Sequence, residues 1–276
     1  MLTRSVCTAL LLGCTSFAAA QNAPTLIRDA RVFDGARMLG VRDVLIRDGR
    51  IAQVAANVSP PPAAQVVDGA GMTLLPGFMD AHTHTFADVL QQALAFGVTT
   101  QLEMFSDHRL AARWREEQNA GRANGRTDVF SAGTLVTAPR GHGTQFGLAI
   151  PTITSPDSAQ AFVDARIAEG SDYIKIVYDD GRAYGLARPT LDGATVKALI
   201  DAAHRRGKLV VVHVHSEDFA RDAIASGADG LVHIHADSDA PGAFVALAKQ
   251  HGAFVIPTLT VNMSVVGTAG GAQLID

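Results

Sequence analysis

From Leu74 onward the hydrophobic positions gather into short runs that are apolar on both faces, separated by amphipathic stretches. Continuous short apolar runs are how parallel strands covered on both sides read, and apolar positions recurring every three or four residues mark the helices that cover them. The strand-like runs are LLPGFMDAH (74–82), VTTQLEMF (98–105), DVFSAGTLV (128–136), YIKIVY (173–178), KLVVVHVH (208–215), GLVHIHA (230–236) and AFVIPTLTV (253–261). Helices are predicted over 87–96, 109–120, 157–169, 194–206, 217–226 and 243–251. Several end at a glycine, Gly170 and Gly227 among them, where the residue past a helix C-terminus belongs.

Before Leu74 the pattern is different. Between Thr25 and Val67 short β-rich runs alternate with turn residues, and Asp34-Gly35 and Asp48-Gly49 are hairpin signals. This reads as a small β module over 21–73, with Pro60-Pro61-Pro62 leading into a last strand at Gln65–Asp68. The β-α rhythm of 74–276 closes either as a (β/α)8-type barrel or as an open doubly wound sheet. Polar candidates at the C-terminal ends of the first and of the third to sixth runs favour the barrel, which points its strand ends at one mouth. No G-x-G-x-x-G opens a helix after the first strand, which disfavours a dinucleotide-binding fold.

The N-terminus narrows the setting. Arg4, the apolar stretch Val6–Phe17 and Ala18-Ala19-Ala20 have the anatomy of a signal peptide over 1–20, so we expect export to the periplasm or beyond. The stretch is too short for a membrane span, and Leu11-Leu12-Gly13-Cys14 resembles a lipobox, which gives a lipid anchor through Cys14 as the alternative to soluble export. Both cysteines, Cys7 and Cys14, lie in this segment, so a metal site after cleavage must use His, Asp, Glu or a modified Lys. With 47% hydrophobic residues, 18% charged residues and a net charge of -4, the chain reads as a soluble globular protein. Arg205-Arg206-Gly207-Lys208 is too short a basic cluster to suggest a nucleic-acid partner.

The candidate chemistry sits at the strand ends. His82 and His84 are two apart on a strand, so both point to one face, as two ligands of one metal would, and Asp80 shares their parity. His213 and His215 repeat the spacing, as do His233 and His235. Parity alone leaves open which member of each later pair is the ligand. Lys175 lies in a run apolar on both faces, where a lone ammonium costs several kcal/mol or loses its proton. It either snorkels to water or stands as a neutral amine able to capture carbon dioxide as a carbamate. Tyr178 follows it at the strand end.

On LLPGFMDAHTH, DYIKIVYDDG, AHRRGKLVVVHVHS and ADGLVHIH the chain resembles the amidohydrolase superfamily, within the branch of imidazolonepropionases and Xaa-Pro dipeptidase-like enzymes. The resemblance runs from Thr25 to about Val261. It implies a distorted (β/α)8 barrel beside half of a β-sandwich, and a centre of two divalent metal ions, expected to be zinc. His82 and His84 would hold one ion, carboxylated Lys175 would bridge, and His213 and His233 would hold the other. His142, in APRGHGTQFG, matches the loop histidine that approaches the substrate carbonyl. The implied reaction is hydrolysis of an amide or peptide C–N bond in a small-molecule or peptide substrate by a hydroxide bridging the metals. Lactone or organophosphate ester hydrolysis is the catalytic alternative, and a non-catalytic metal-binding fragment is the other.

The chain departs from the pattern at its end. The family's eighth strand carries an aspartate that binds the first metal and acts as general base, and the roughly 200 residues from Leu74 fall short of the about 250 of a typical barrel. The expectation is therefore an incomplete barrel of about seven strands lacking strand 8. Asp237 and Asp239 follow the sixth run, the wrong strand end for that aspartate. Such a barrel would leave strand edges open to pairing with another copy, which makes a homo-oligomer an expectation too.

Overall fold

A computed structural model of the chain describes residues 23–86, 88–123, 125–238 and 242–265. The expected export segment 1–20 and Asp239 lie outside them. The contacts divide the chain into two compact units, one ending at Pro76 and one beginning at Gly77.

The first unit is a five-stranded sheet of β1 (Thr25–Phe33), β2 (Met38–Arg47), β3 (Arg50–Ala55), β4 (Gln65–Asp68) and β5 (Thr73–Leu74). β1, β2 and β3 form antiparallel hairpins, while β4 and β5 run parallel to β1. The β2–β3 turn falls on Asp48 (φ 52°) and Gly49 (φ 71°), the left-handed pair a tight hairpin requires. Asp43, buried in β2, accepts from the backbone N–H groups of Asp29 and Val58 at 3.0 and 2.9 Å. It thereby anchors the bulge at Asp29 in β1. Among the described residues this unit is a single sheet, and no second sheet completes a sandwich.

The second unit alternates seven strands with helices: β6 (Phe78–Thr83), α1 (Val89–Ala95), β7 (Val98–Glu103), α2 (His108–Asn119), β8 (Asp128–Ser131), α3 (Ala159–Ala168), β9 (Ile174–Val177), α4 (Gly193–Arg205), β10 (Val210–His213), α5 (Glu217–Ala225), β11 (Gly230–Val232), α6 (Gly242–His251), β12 (Phe254–Ile256) and α7 (Leu259–Val265). All strand pairings are parallel, in the orders β6-β7-β8 and β12-β11-β10-β9. Val136 joins the two sheets, donating to the Lys175 carbonyl and accepting from Val177, both at 2.8 Å. The α/β class with parallel sheets is as expected. Among the described residues no ladder pairs β12 with β6, so the pairings do not close a barrel.

The last expected strand is shorter than its apolar run suggested. Proline at 257 has no N–H to donate, Thr258 adopts φ 45°, and the chain enters α7 instead of continuing to Val261. Asp107 and Asp192 cap α2 and α4 by accepting from Arg109 and Thr195. The main core lies between β9, β10, β11 and helices α3, α4 and α5, where Ile176, Leu199, Ile200, Val212 and Leu231 are fully buried.

Candidate metal centre

Alternation along the central strands builds the site. Ile174 and Ile176 of β9, and Val210, Val212 and Val214 on and just past β10, pack outward on the helices. Lys175 and Val177, and Val211, His213 and His215, therefore face inward. The register pairs Lys175 with Val211 and Val177 with His213. Lys175 and the histidines thus rise in rows on adjacent strands toward the C-terminal ends.

There the imidazoles converge. The His213 ring lies 4.4 Å from that of His233 and 4.7 Å from that of His215, and His215 stacks on His233 at 4.6 Å. The coordinating nitrogens of these three come within 4.8 Å of one another. His82 approaches His233 with ring centroids 4.6 Å apart and His84 at 5.3 Å, so the end of β6 meets the end of β11. His142 arrives from the loop after β8, its ring 4.7 Å from His213. His233 has φ 69°, and its Nδ1 lies 2.5 Å from Thr258 Oγ1.

Two carboxylates that the strand-end pattern did not single out support these rings. Asp179 Oδ2 sits 2.7 Å from His215 Nδ1 and 3.3 Å from His213 Nε2. Burial would raise its carboxyl, but the hydrogen bonds with His213 and His215 hold it far below the ordinary carboxylate range. Glu103, fully buried at the end of β7, accepts from Phe105 N, Ser106 Oγ and Ser131 Oγ, and lies 4.0 Å from His84 Nδ1. Burial raises its pKa despite those bonds.

Burial also governs the bases. It brings the Lys175 amine down to about 7, against the opposing charge of Glu103. Burial first, then the charge of Lys175, lowers His82 to about 2 and both His84 and His142 to about 4. Burial likewise depresses His213 and His233. At neutral pH these rings are neutral and offer lone pairs, the form in which imidazole binds a metal. The unfolded chain protonates its histidines near pH 6.5 while the folded one resists, so it binds more protons as acid is added. Metal-free protein is therefore expected to show a melting temperature that falls steadily from pH 7 to pH 4. A flat profile would mean the rings are not buried as described.

The sequence-derived candidates sort themselves on this geometry. His82, His84, His142, Lys175, His213 and His233 come together, and His215, whose role the pattern left open, joins them. His235 does not: it turns onto α6, its ring 4.8 Å from Phe244. Asp80 is exposed and accepts from the backbone of His82 at 3.1 Å, which keeps it local. Tyr178 points outward to Asp222 at 2.7 Å and packs on Phe219, so it does not reach the mouth. Tyr184, from the loop after β9, reaches the cluster instead, with its ring 4.6 Å from His215. Asp237 accepts from the backbone of Glu217 at 2.9 Å, at the start of α5. The cluster forms the floor of a cavity of about 730 Å³ with largely apolar walls that include Phe105, Leu135, Phe146 and Leu186.

No family model matches the chain. It is 52% identical over 62 residues to a dihydroorotase of Solibacter usitatus, a match covering 22% of this chain and 14% of that one. The chain thus spans a small part of the curated relatives it matches first. The solved structure of a Xaa-Pro dipeptidase with methionine bound in its active site superposes with a TM-score of 0.73 at 23% identity, covering 92% of this chain and 70% of that one. That of an amidohydrolase does so with a TM-score of 0.74 at 20% identity, covering 89% and 69%. At these identities the likeness is one of fold. The resemblance to the amidohydrolase superfamily read from the motifs thus stands on a shared fold and on a local sequence match.

Proposed function

We propose that the chain is a metal-dependent hydrolase of amide or peptide C–N bonds. The observation that carries this reading is the convergence of His213, His215 and His233, with nitrogens within 4.8 Å of one another, beside the buried Lys175 at the floor of a cavity. The donors suit a divalent cation of the zinc type, because they are imidazoles with no thiolate among them. His82 adds a buried Nδ1 that has no hydrogen-bond partner among the described residues. Such an atom is costly to bury unless something binds it.

His213 and His233, with His215 beside them, would hold one ion, and His82 and His84 a second. Lys175 lies where it can join the two. A bound cation supplies Lewis acidity toward a carbonyl and lowers the pKa of a water molecule. The remaining chemistry belongs to the chain. The Lys175 amine, neutral for much of the time at its depressed pKa, attacks carbon dioxide; the N–C bond forms, a proton leaves to solvent, and a carbamate results. His142, neutral and at the edge of the cluster, donates to the substrate carbonyl through one ring nitrogen. Asp179 holds His213 and His215 in orientation, and the apolar walls exclude bulk water. The signal-peptide anatomy of residues 1–20 supports placing this hydrolase outside the cytoplasm, acting on small molecules or short peptides.

Metal analysis of protein refolded with zinc and bicarbonate, followed by an assay on a panel of N-acyl amino acids and dipeptides, tests the reading. Stoichiometric zinc with amide cleavage that a chelator abolishes is expected. Protein that retains no zinc would sink it, and zinc without cleavage of any amide would reduce the site to a metal-binding one.

A further inference from the structure

Glu103 is a fully buried acid at the edge of the site, and the proposed mechanism gives it no task. Its carboxylate takes three donors: Phe105 N–H at 2.7 Å and Ser106 Oγ at 3.0 Å from the chain that follows it, and Ser131 Oγ at 2.5 Å from the end of β8. Its own carbonyl is held as well, accepting from Ala132 N–H at 2.9 Å and from the Tyr173 hydroxyl at 2.6 Å. A side chain that takes the backbone N–H two residues on competes with the strand ladder, and β7 ends at Glu103. On either side of Phe105 the backbone is tied again, Met104 N–H donating to the Thr83 carbonyl at 2.9 Å and Ser106 N–H to the Gly133 carbonyl at 3.2 Å. The Phe105 peptide is therefore fixed in place.

The carbonyl of that peptide meets a candidate metal ligand. Phe105 O lies 3.3 Å from His84 Nδ1, and a carbonyl oxygen can only accept, so the neutral ring carries its proton on Nδ1 and keeps its lone pair on Nε2. His84 lines the cavity with 51% of its side chain exposed, so packing alone leaves the ring free to turn. Among the described residues no other hydrogen bond engages it. Glu103 Oε1, the oxygen that receives Phe105 N–H, is 4.0 Å from the same Nδ1, beyond hydrogen-bond reach. The acid thus reaches the ring through the peptide between them.

We infer that Glu103 is a positioning residue: by holding the Phe105 peptide it fixes the tautomer and orientation of His84, and so decides which ring nitrogen is offered to a cation. This rests on the proposed metal centre for the cation, and a measurement on metal-free protein keeps the two apart. Nitrogen-15 NMR of the imidazoles at neutral pH reads the tautomer directly, with the His84 signals assigned by their loss in His84→Gln. The unaltered protein is expected to show His84 with its proton on Nδ1. Glu103→Gln keeps an oxygen for Phe105 N–H and should preserve that form. Glu103→Leu keeps much of the volume without an acceptor, and should give a mixture of both tautomers. In a zinc titration against a chelator the same variant should weaken one of two bound ions by about tenfold or more and spare the other. Ser131→Ala removes a bond to Oε2 alone, so it should lower the melting temperature and leave the tautomer unchanged, a separation that a merely structural role would not produce. Should Glu103→Leu fail to fold, Glu103→Asp keeps the charge, shortens the reach by one methylene and should show the same mixing. A proton on Nε2 of His84 in the unaltered protein would overturn the inference, as would an Nδ1–H form that persists in both Glu103→Leu and Glu103→Asp. Loss of that form in Glu103→Gln would also overturn it, because charge and not the held peptide would then set the ring. A tautomer that depends on Glu103 in a protein that retains no zinc refutes the metal centre and leaves the positioning role standing. Two zinc ions and amide cleavage, with a tautomer indifferent to Glu103, do the reverse.

Discussion

Lys175→Ala is expected to lower amide hydrolysis on the order of 10³-fold or more and to strip zinc from the protein, with short-chain carboxylic acids restoring part of both. The size of the effect follows from the place of the residue. Lys175 is 2% exposed in β9, and its register neighbour Val211 and the inward-facing Val177 give its amine no polar partner. Among the described residues no hydrogen bond engages Nζ, and burial brings its pKa to about 7. A lysine kept at such a desolvation cost for packing alone would be replaceable by an apolar side chain of similar length. Lys175→Met is therefore the discriminating control: it preserves the volume and removes the amine. Unchanged zinc content and turnover in Lys175→Met would refute the role of the amine. Loss of zinc in both variants, followed by its return with acetate or propionate in Lys175→Ala, where the truncation leaves room for the acid, would support a bridging carboxylate in the place of the carbamate.

Asp179→Ala is expected to weaken zinc binding by about 10- to 100-fold, the usual consequence of removing a carboxylate that orients metal-bound imidazoles. Its Oδ2 meets both His215 Nδ1 and His213 Nε2, so one substitution frees two rings. The carboxylate's folded pKa is depressed, so the stability it confers is present above the ordinary carboxylate range and is lost only as strong acid protonates it. Asp179→Asn separates charge from shape, since an amide oxygen can still accept from one ring. Competition with a chromogenic chelator gives the affinities directly. Zinc affinity unchanged in Asp179→Ala would show that the contact is incidental to the site, and an affinity restored in Asp179→Asn would show that hydrogen bonding matters more than charge.

Much of this molecule follows from short-range pattern. The runs at 173–178 and 208–215 are apolar on both faces because helices cover one side and the interior the other, and that double burial is what makes parallel strands visible in a sequence. The glycines behind the helices are equally legible: Gly170 and Gly227 adopt φ 99° and 101°, which a side chain would strain. The histidine pairs could be seen because alternation on a strand sends residues two apart to one face.

The same alternation fails where a strand stops, and there the tertiary structure decides. β11 ends at Val232, and His233 takes a left-handed φ of 69°, so His235 is turned onto Phe244 while His233 faces the cluster. β10 also ends at His213, but Asp179 holds His215 beside it, so both members of that pair stay at the site. Asp80 shares parity with His82, yet its carboxylate is bound to the local backbone and lies in solvent. Glu103 and Asp179 carry no spacing signal, because they reach the histidine cluster from separate strand ends brought together only by the fold. By itself the sequence determined the elements and the kind of ligand they present, since both depend on neighbours two to four residues away. Which of those side chains meet, and what charge surrounds them, depends on contacts between residues far apart in the chain, such as His82 with His233 and His142 with His213, and only the packed structure decided it.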